Sequence, residues 1–137
     1  MANILSKLKD EKGQSAVEFA LVAILLFLLV FGIVEFGRAW YRADLLKNAA
    51  NIAARTCAVA KVQQTAINAG AAAIPNYSDP PTHIDVPNCA TLAVGSSVTA
   101  TVTEPFITLV PGLLPMLKDT NGNDITLTRT ATYRLEP

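Results

Sequence analysis

Residues 19–34 read FALVAILLFLLVFGIV and contain no charged side chain. An α-helix rises 1.5 Å per residue, so this stretch would extend about 24 Å, close to the bilayer's hydrocarbon thickness of about 30 Å. Ala16 and Val17 lengthen the apolar stretch on the far side of one acidic residue, Glu18. The sequence therefore predicts a membrane-spanning helix, which we assign to residues 14–34.

The charges around the span predict its orientation. Three lysines lie within residues 7–12, which favours a cytoplasmic N-terminus and a C-terminal part outside the cytoplasm. Three basic residues within 38–47 weaken this bias. A cleaved secretory signal is an open alternative, because the small residues Gly37 and Ala39 follow the apolar run.

Beyond the span, residues 35–74 are predicted to continue as one helix into an extracytoplasmic domain. Alanine is abundant there, Gly37 is the only strong helix breaker among residues 35–69, and Pro75 is the first stop signal. Mostly small residues recur at helical spacing from Leu45 onward. This pattern predicts a helix face that packs closely on another backbone.

The C-terminal part, residues 75–137, is predicted to be a small β-rich domain. Four prolines near its start end the helix, because proline lacks the backbone N–H and fixes φ. Polar and apolar residues alternate over 97–103 and 125–135, which is the period of half-buried strands. A third strand is expected at 84–86 or 92–94. The predicted fold is therefore α+β: a long N-terminal helix, transmembrane in its first half, followed by a small antiparallel β-sheet.

The segment between the two predicted strands is apolar at first and polar later. Residues 106–117 (FITLVPGLLPML) contain two prolines, so they should form neither a regular helix nor a second span, and we expect them to pack over the sheet or against the bilayer. Asn121 and Gly122 predict a tight turn. The surrounding DTNGND (119–124) distantly resembles a calcium loop, but Thr130 stands where such a loop needs glutamate. A hairpin turn is favoured there, and calcium binding is left open.

The chain has two cysteines, Cys57 and Cys89. They are too few for a zinc cage and too far apart for a CxxC redox motif. A disulfide formed outside the cytosol is the favoured reading, and it would stabilise a small domain by about 3–4 kcal/mol on the chain-entropy model. Two unpaired buried thiols are the alternative.

The composition argues against nucleic-acid binding and catalysis. Eleven basic and eleven acidic residues give a formal net charge of zero, so no basic stripe is available for phosphates. His83 is the only histidine, and near Asp79 and Asp85 in a proline-rich stretch it is more readily a solvated loop residue than a general base or metal ligand. We therefore expect no enzymatic activity and no cofactor, and, apart from the open question of calcium at 119–124, no metal.

A glutamate stands where the apolar stretch begins, within GQSAVEFALV (13–22). A carboxylate near the bilayer centre would cost about 2.5–3.5 kcal/mol, whereas Glu18 at the headgroup level would stay in water. The order of glycine, four residues, glutamate, aromatic residue and long apolar helix resembles the processing site of type IV pilin-like precursors. With FGRAW at 36–40 and the C-terminal TLTRTATYRLEP, the chain is similar to the TadE-like minor pilins, or pseudopilins, of the tight-adherence (Flp, type IVb-like) pilus system.

This resemblance implies proteolytic processing. In such families a prepilin peptidase cuts after the glycine, so the cut would fall between Gly13 and Gln14 and remove a leader at residues 1–13. Glu18 would become the fifth residue of the mature chain, where it and the adjacent Phe19 would serve assembly by aligning the subunit with a neighbour. A new α-ammonium group at Gln14 suits a buried Glu18 carboxylate, because each charge offsets the desolvation of the other.

The resemblance also implies a role, partners and a location. Major pilins of these systems are much shorter, so the chain would be a minor pilin or pseudopilin that contributes to pilus assembly and surface adhesion. The implied partners are membrane lipid, the prepilin peptidase, other pilin or pseudopilin subunits and the assembly machinery. The implied location is the bacterial inner membrane, with entry into a surface pilus left open. The rival hypothesis is an uncleaved single-pass envelope protein with an extracytoplasmic binding or regulatory domain.

Overall fold

The computed structural model describes residues 2–75, 82–109 and 125–135, with side chains from residue 13 onward. Within these ranges the elements are two helices and three strands: α1 (Ala2–Ala60), α2 (Gln63–Ala72), β1 (His83–Asp85), β2 (Ser97–Phe106) and β3 (Ile125–Arg134). A long N-terminal helix followed by a small antiparallel sheet confirms the predicted α+β class. The chain divides into two compact units, Met1–Gly37 and Arg38–Pro137.

The first unit is the N-terminal part of α1. Its large apolar side chains are exposed, among them Phe19 at 75% and Leu25 at 69%. In the described part of the chain, one helix is long and apolar enough to cross a membrane, with a mean hydropathy of 2.9 in its most apolar window and none of that window buried. A contiguous apolar surface of this size marks a site of contact with lipid or with other protein.

The core of the second unit lies along one face of α1. The buried residues of this face recur at spacings of three and four, as α-helical geometry requires. They are Leu46, Ala49, Ala50, Ala53, Ala54 and Cys57, and they form one cluster with Val98, Ala100 and Val102 of β2. Most of the helix residues are alanine, so the neighbouring elements can approach the helix backbone closely.

Gly70 of α2 lies close against α1. A Cβ atom at Gly70 would lie 3.1 Å from the Cβ of Ala53 and 3.2 Å from the backbone oxygen of Ala49. On its other side it would lie 3.1 Å from Cδ1 of Ile84. The small residues at these positions therefore let α2 pack directly on α1.

The prediction of one unbroken helix as far as residue 74 is wrong at Lys61. Lys61 has a left-handed φ of 55°, and its N–H donates to the carbonyl oxygen of Cys57 at 3.1 Å, which is the αL termination of a helix. Val62 is extended, with φ −123° and ψ 114°, and α2 begins directly after it. The change in chain direction at Lys61 and Val62 brings Gly70 of α2 into contact with α1. The break in the helix is therefore accompanied by packing of α2 on α1.

The sheet is antiparallel with the strand order β1–β2–β3. Ala100 of β2 pairs with Ala131 of β3, and every second β2 residue from Val98 to Phe106 is buried. Both strands predicted by alternation are present, and the third lies at His83–Asp85 rather than at 92–94.

The second strand is longer than the alternation predicts, because it runs through Pro105 to Phe106. Pro105 pairs with Thr126 of β3, whereas β1 pairs no further along β2 than Thr103. A proline is tolerated where no ladder hydrogen bond is required of its nitrogen. The continuation of the strand brings two further buried side chains, Glu104 and Phe106, onto its inner face.

Some predicted features lie outside the described residues. These are the Asn121–Gly122 turn, the possible calcium loop at 119–124, the greater part of the apolar stretch at 106–117, and Asp79 beside the proline-rich segment.

Candidate functional site

The segment that resembles a pilin processing site lies on the exposed helix of the first unit. Gln14 Nε2 donates a hydrogen bond to Glu18 Oε1 at 3.1 Å, because residues four apart share a helix face. In the described part of the chain, no heavy atom beyond the helix's own backbone lies within 4 Å of a Cβ placed on Gly13. The structure thus brings Gln14 and Glu18 together and leaves Gly13 and Phe19 accessible.

Glu18 is the only charged side chain between residues 13 and 34. One carboxylate on an otherwise apolar helix offers a single polar contact at a fixed position along the helix axis. In coiled coils, one polar residue in an apolar seam fixes register at a cost in stability. The arrangement is therefore suited to aligning one helix against another. Within residues 13–34, which the structure describes, no second charged group lies near Glu18 for acid–base chemistry.

Residues 13–55 match the model of the family described as TadE-like protein. This segment is TadE-like. The match begins at Gly13, includes the apolar stretch and ends within the part of α1 that lines the core. It confirms the resemblance over residues 13–55, which does not include the C-terminal segment. The match is consistent with the pilin family of the tight-adherence pilus system, a structural family associated with the membrane and with other pilus components. No curated protein and no solved structure matches the chain.

A disulfide joins Cys57 of α1 to Cys89, which opens a short 3₁₀ turn (Cys89–Thr91) ahead of β2. The sulfur atoms are 2.07 Å apart and the Cα atoms 5.4 Å apart, and both residues are fully buried. The pairing expected from the sequence is therefore present in the structure. The bond closes a loop across a sequence separation of 32 residues and fixes the sheet region to the helix.

A buried ion pair links α1 to β2, and sequence reasoning missed it. Glu104 is 2% exposed, and its Oε1 accepts hydrogen bonds from Arg42 Nε at 2.9 Å and Nη2 at 2.6 Å. Thr82 Oγ1 donates to the other carboxylate oxygen at 3.0 Å. Both oxygens of Glu104 are thus satisfied, as a buried charge requires. The sequence did contain a signal for this pair. Glu104 follows Val102 by two residues, so the alternation places it on the buried face of the strand.

A second arginine extends this contact toward the end of β2. The guanidinium carbon of Arg38 lies 5.6 Å from the ring centre of Phe106, within the range of a cation–π interaction. Arg38 Nη2 also donates to the backbone oxygen of Ile107 at 3.5 Å. A surface groove of about 380 Å³ lies beside these residues and is lined by Arg38, Tyr41, Arg42, Glu104, Pro105, Phe106 and Ile107.

The remaining candidate, His83, is an exposed residue of β1 whose strand partner is Thr103. Asp85 is exposed two residues further along the same strand. Across the described ranges, no group of three or more His, Cys, Asp or Glu side chains is placed to hold a metal ion.

Proposed function

We propose that this protein is a minor pilin or pseudopilin of a tight-adherence pilus and acts by assembly rather than by catalysis. The observation that carries the proposal is the TadE-like match, which starts at Gly13 and covers an exposed apolar helix. The second unit supports the assignment as a minor subunit and not a major pilin, because it adds a folded domain with its own core and disulfide to that helix.

The first step of the proposed function is removal of residues 1–13 by a prepilin peptidase. The bond between Gly13 and Gln14 lies on an exposed part of α1, so a membrane-embedded protease could reach it. The leader contains three lysines, and its loss would free the helix end from the cytoplasmic leaflet. The proposed orientation places the N-terminus in the cytoplasm and the second unit outside, in the bacterial inner membrane or in a pilus that emerges from it.

The second step is the joining of subunits through residues 14–34. Cleavage would create an α-ammonium group at Gln14, whose side chain already contacts Glu18. A carboxylate and an ammonium about one turn apart on an apolar helix can pair within one subunit or between two, and pairing offsets the desolvation of both. Phe19 and the apolar residues after it would supply the remaining contact surface for the other subunits of the assembly machine.

Processing in the native host tests the proposal. The full chain is recovered from membranes, and its N-terminal residue is determined by mass spectrometry for the wild type and for Gly13→Ala. We expect the wild type to begin at Gln14 and Gly13→Ala to keep Met1. The alanine meets open space and suits a helix better than glycine, so its effect would be on recognition and not on folding.

Gly32→Ala is the matched control, because Gly32 lies on the same exposed helix and also faces open space. This variant should be cut as the wild type is. A wild-type chain that keeps Met1 would contradict the proposal and favour an uncleaved envelope protein whose outer domain binds a ligand or regulates a complex.

A further inference from the structure

The second unit has one end at which the start of its α1 segment lies beside the end of β2. Arg42 contacts Glu104, and Arg38 contacts both Phe106 and the backbone of Ile107. Arg38 is also the residue at which the chain enters this unit from the apolar segment. The end of the sheet at Ile107 is therefore close to the point where the chain enters from the predicted span.

Large apolar side chains are exposed at this end. Tyr41 is 61% exposed, Ile107 55% and Leu109 57%, and we call these three residues the entry patch. Trp40 adjoins Tyr41 and is 70% exposed. Along β2 the inward side chains up to Phe106 are buried, so the exposure of apolar groups begins where the strand ends.

The chemistry of the entry patch fits the surface of a bilayer. Tryptophan and tyrosine are enriched at the level of lipid headgroups, and arginine reaches that level with its stem along apolar material. The groove beside the patch is lined by Arg38 and Tyr41, so an arginine and a tyrosine meet at this end of the unit. Trp40 is six residues beyond Val34, a rise of about 9 Å along a helix, which corresponds to the headgroup region outside the hydrocarbon layer.

We propose that the entry patch is a second lipid contact, so that the folded unit touches the headgroup surface of the bilayer in addition to being held by the predicted span. This inference rests on the proposed membrane span, which brings the entry end of the unit to the bilayer. Contact at the patch would fix the tilt of the unit before assembly, and the contact would have to be released when the subunit leaves the membrane.

Fluorescence quenching of single tryptophans in the full chain tests the proposal. Trp40 is the only tryptophan in the sequence, so Trp40→Phe gives a protein without tryptophan fluorescence. Into it we would introduce Ile107→Trp at the patch, Thr99→Trp as a control, and Leu21→Trp as a reporter of the span. Thr99 is an exposed residue of β2 about 26 Å along the strand from position 107. Each protein is reconstituted into vesicles of phosphatidylcholine with phosphatidylglycerol, with or without brominated acyl chains.

We expect brominated lipid to quench the tryptophans at positions 21 and 107 and to leave that at position 99 nearly unchanged. Quenching at 21 with none at 107 would overturn the lipid contact and leave the span intact. A blue-shifted but unquenched signal at 107 would also overturn it, because protein and not lipid would then cover the patch. Lack of quenching at 21 would overturn the span and this inference together.

Discussion

Replacing Arg42 by methionine should destabilise the second unit strongly. Methionine keeps much of the apolar stem of arginine but removes both hydrogen bonds to Glu104, whose side chain is 2% exposed. Removing one partner of a buried ion pair costs about 3–5 kcal/mol, since the other charge is left without compensation. The side chain of Arg42 is 21% exposed, so water can partly solvate the remaining carboxylate. We therefore expect a loss near the lower bound, about 3 kcal/mol.

A second substitution separates the buried charge from the lost packing. Adding Glu104→Leu to Arg42→Met removes the stranded carboxylate and replaces the pair by apolar side chains. Such replacements of buried pairs are often neutral or stabilising. The double variant should therefore lose about 1 kcal/mol or less, so the two substitutions are strongly non-additive.

The assay is urea unfolding of the full chain in detergent micelles, followed by the fluorescence of Trp40. This residue lies two positions before Arg42 in the same unit, so its emission should report local unfolding. Arg55→Met is the control, because Arg55 is an exposed arginine of the same helix and should change stability by less than about 0.5 kcal/mol. A loss in Arg42→Met no larger than in the control, or a double variant as unstable as the single one, would mean that Arg42 does not compensate the buried charge of Glu104.

Three further predictions concern a close contact, the disulfide and the charged residue of the span. Gly70→Ala should cost about 1–3 kcal/mol, because a methyl group has no room beside α1, whereas Gly37→Ala, which meets open space in mid-helix, should be neutral or stabilising in the same unfolding assay. Replacing Cys57 and Cys89 by alanine should lower stability by about 3–4 kcal/mol and remove the mobility shift of the chain on non-reducing gels. Glu18→Gln, which keeps a polar side chain at that level, should leave cleavage intact but abolish recovery of the chain with other pilus subunits.

Each of these predictions has an outcome that contradicts it. Equal stability of Gly70→Ala and Gly37→Ala would mean that α2 does not approach α1 as closely as the structure shows. An unchanged gel mobility after reduction would mean that the two thiols are free. Assembly of Glu18→Gln at the wild-type level would remove the reason for assigning the carboxylate an aligning role.

Local patterns predicted much of this fold because its main elements are regular. The apolar run at 19–34 is too long and too continuous for a strand, and the alternation around Val98, Ala100 and Val102 is typical of a strand with one buried face. The cysteine pairing was the favoured interpretation because two cysteines in a small domain that is predicted to lie outside the cytoplasm have few other uses.

The helix break could not be predicted from local sequence. Left-handed helix ends usually carry glycine or asparagine, and Lys61 is neither. Its conformation is maintained by packing further along the chain, where Gly70 fits against Ala49 and Ala53. Tertiary contact therefore determines where α1 ends.

The Arg42–Glu104 pair shows a similar limit. Glu104 occupies a position of the strand that the alternation marks as buried, so a satisfied buried carboxylate could have been anticipated. Its partner is 62 residues away in sequence, and three basic residues lie within 38–47. Which of them reaches Glu104 depends on how the sheet packs on α1, and that is set by the alanine face and by the disulfide.

Cross-linking from the apolar helix tests whether this protein assembles through residues 14–34. A photoreactive amino acid would replace Leu25, which is 69% exposed, in the full chain expressed in its native host. We expect an adduct with another pilin subunit, which disappears when Gly13→Ala blocks processing and does not form from the same probe at Thr99. A processed chain whose probe at position 25 reacts only with lipid, in cells that assemble pili, would contradict assembly through these residues.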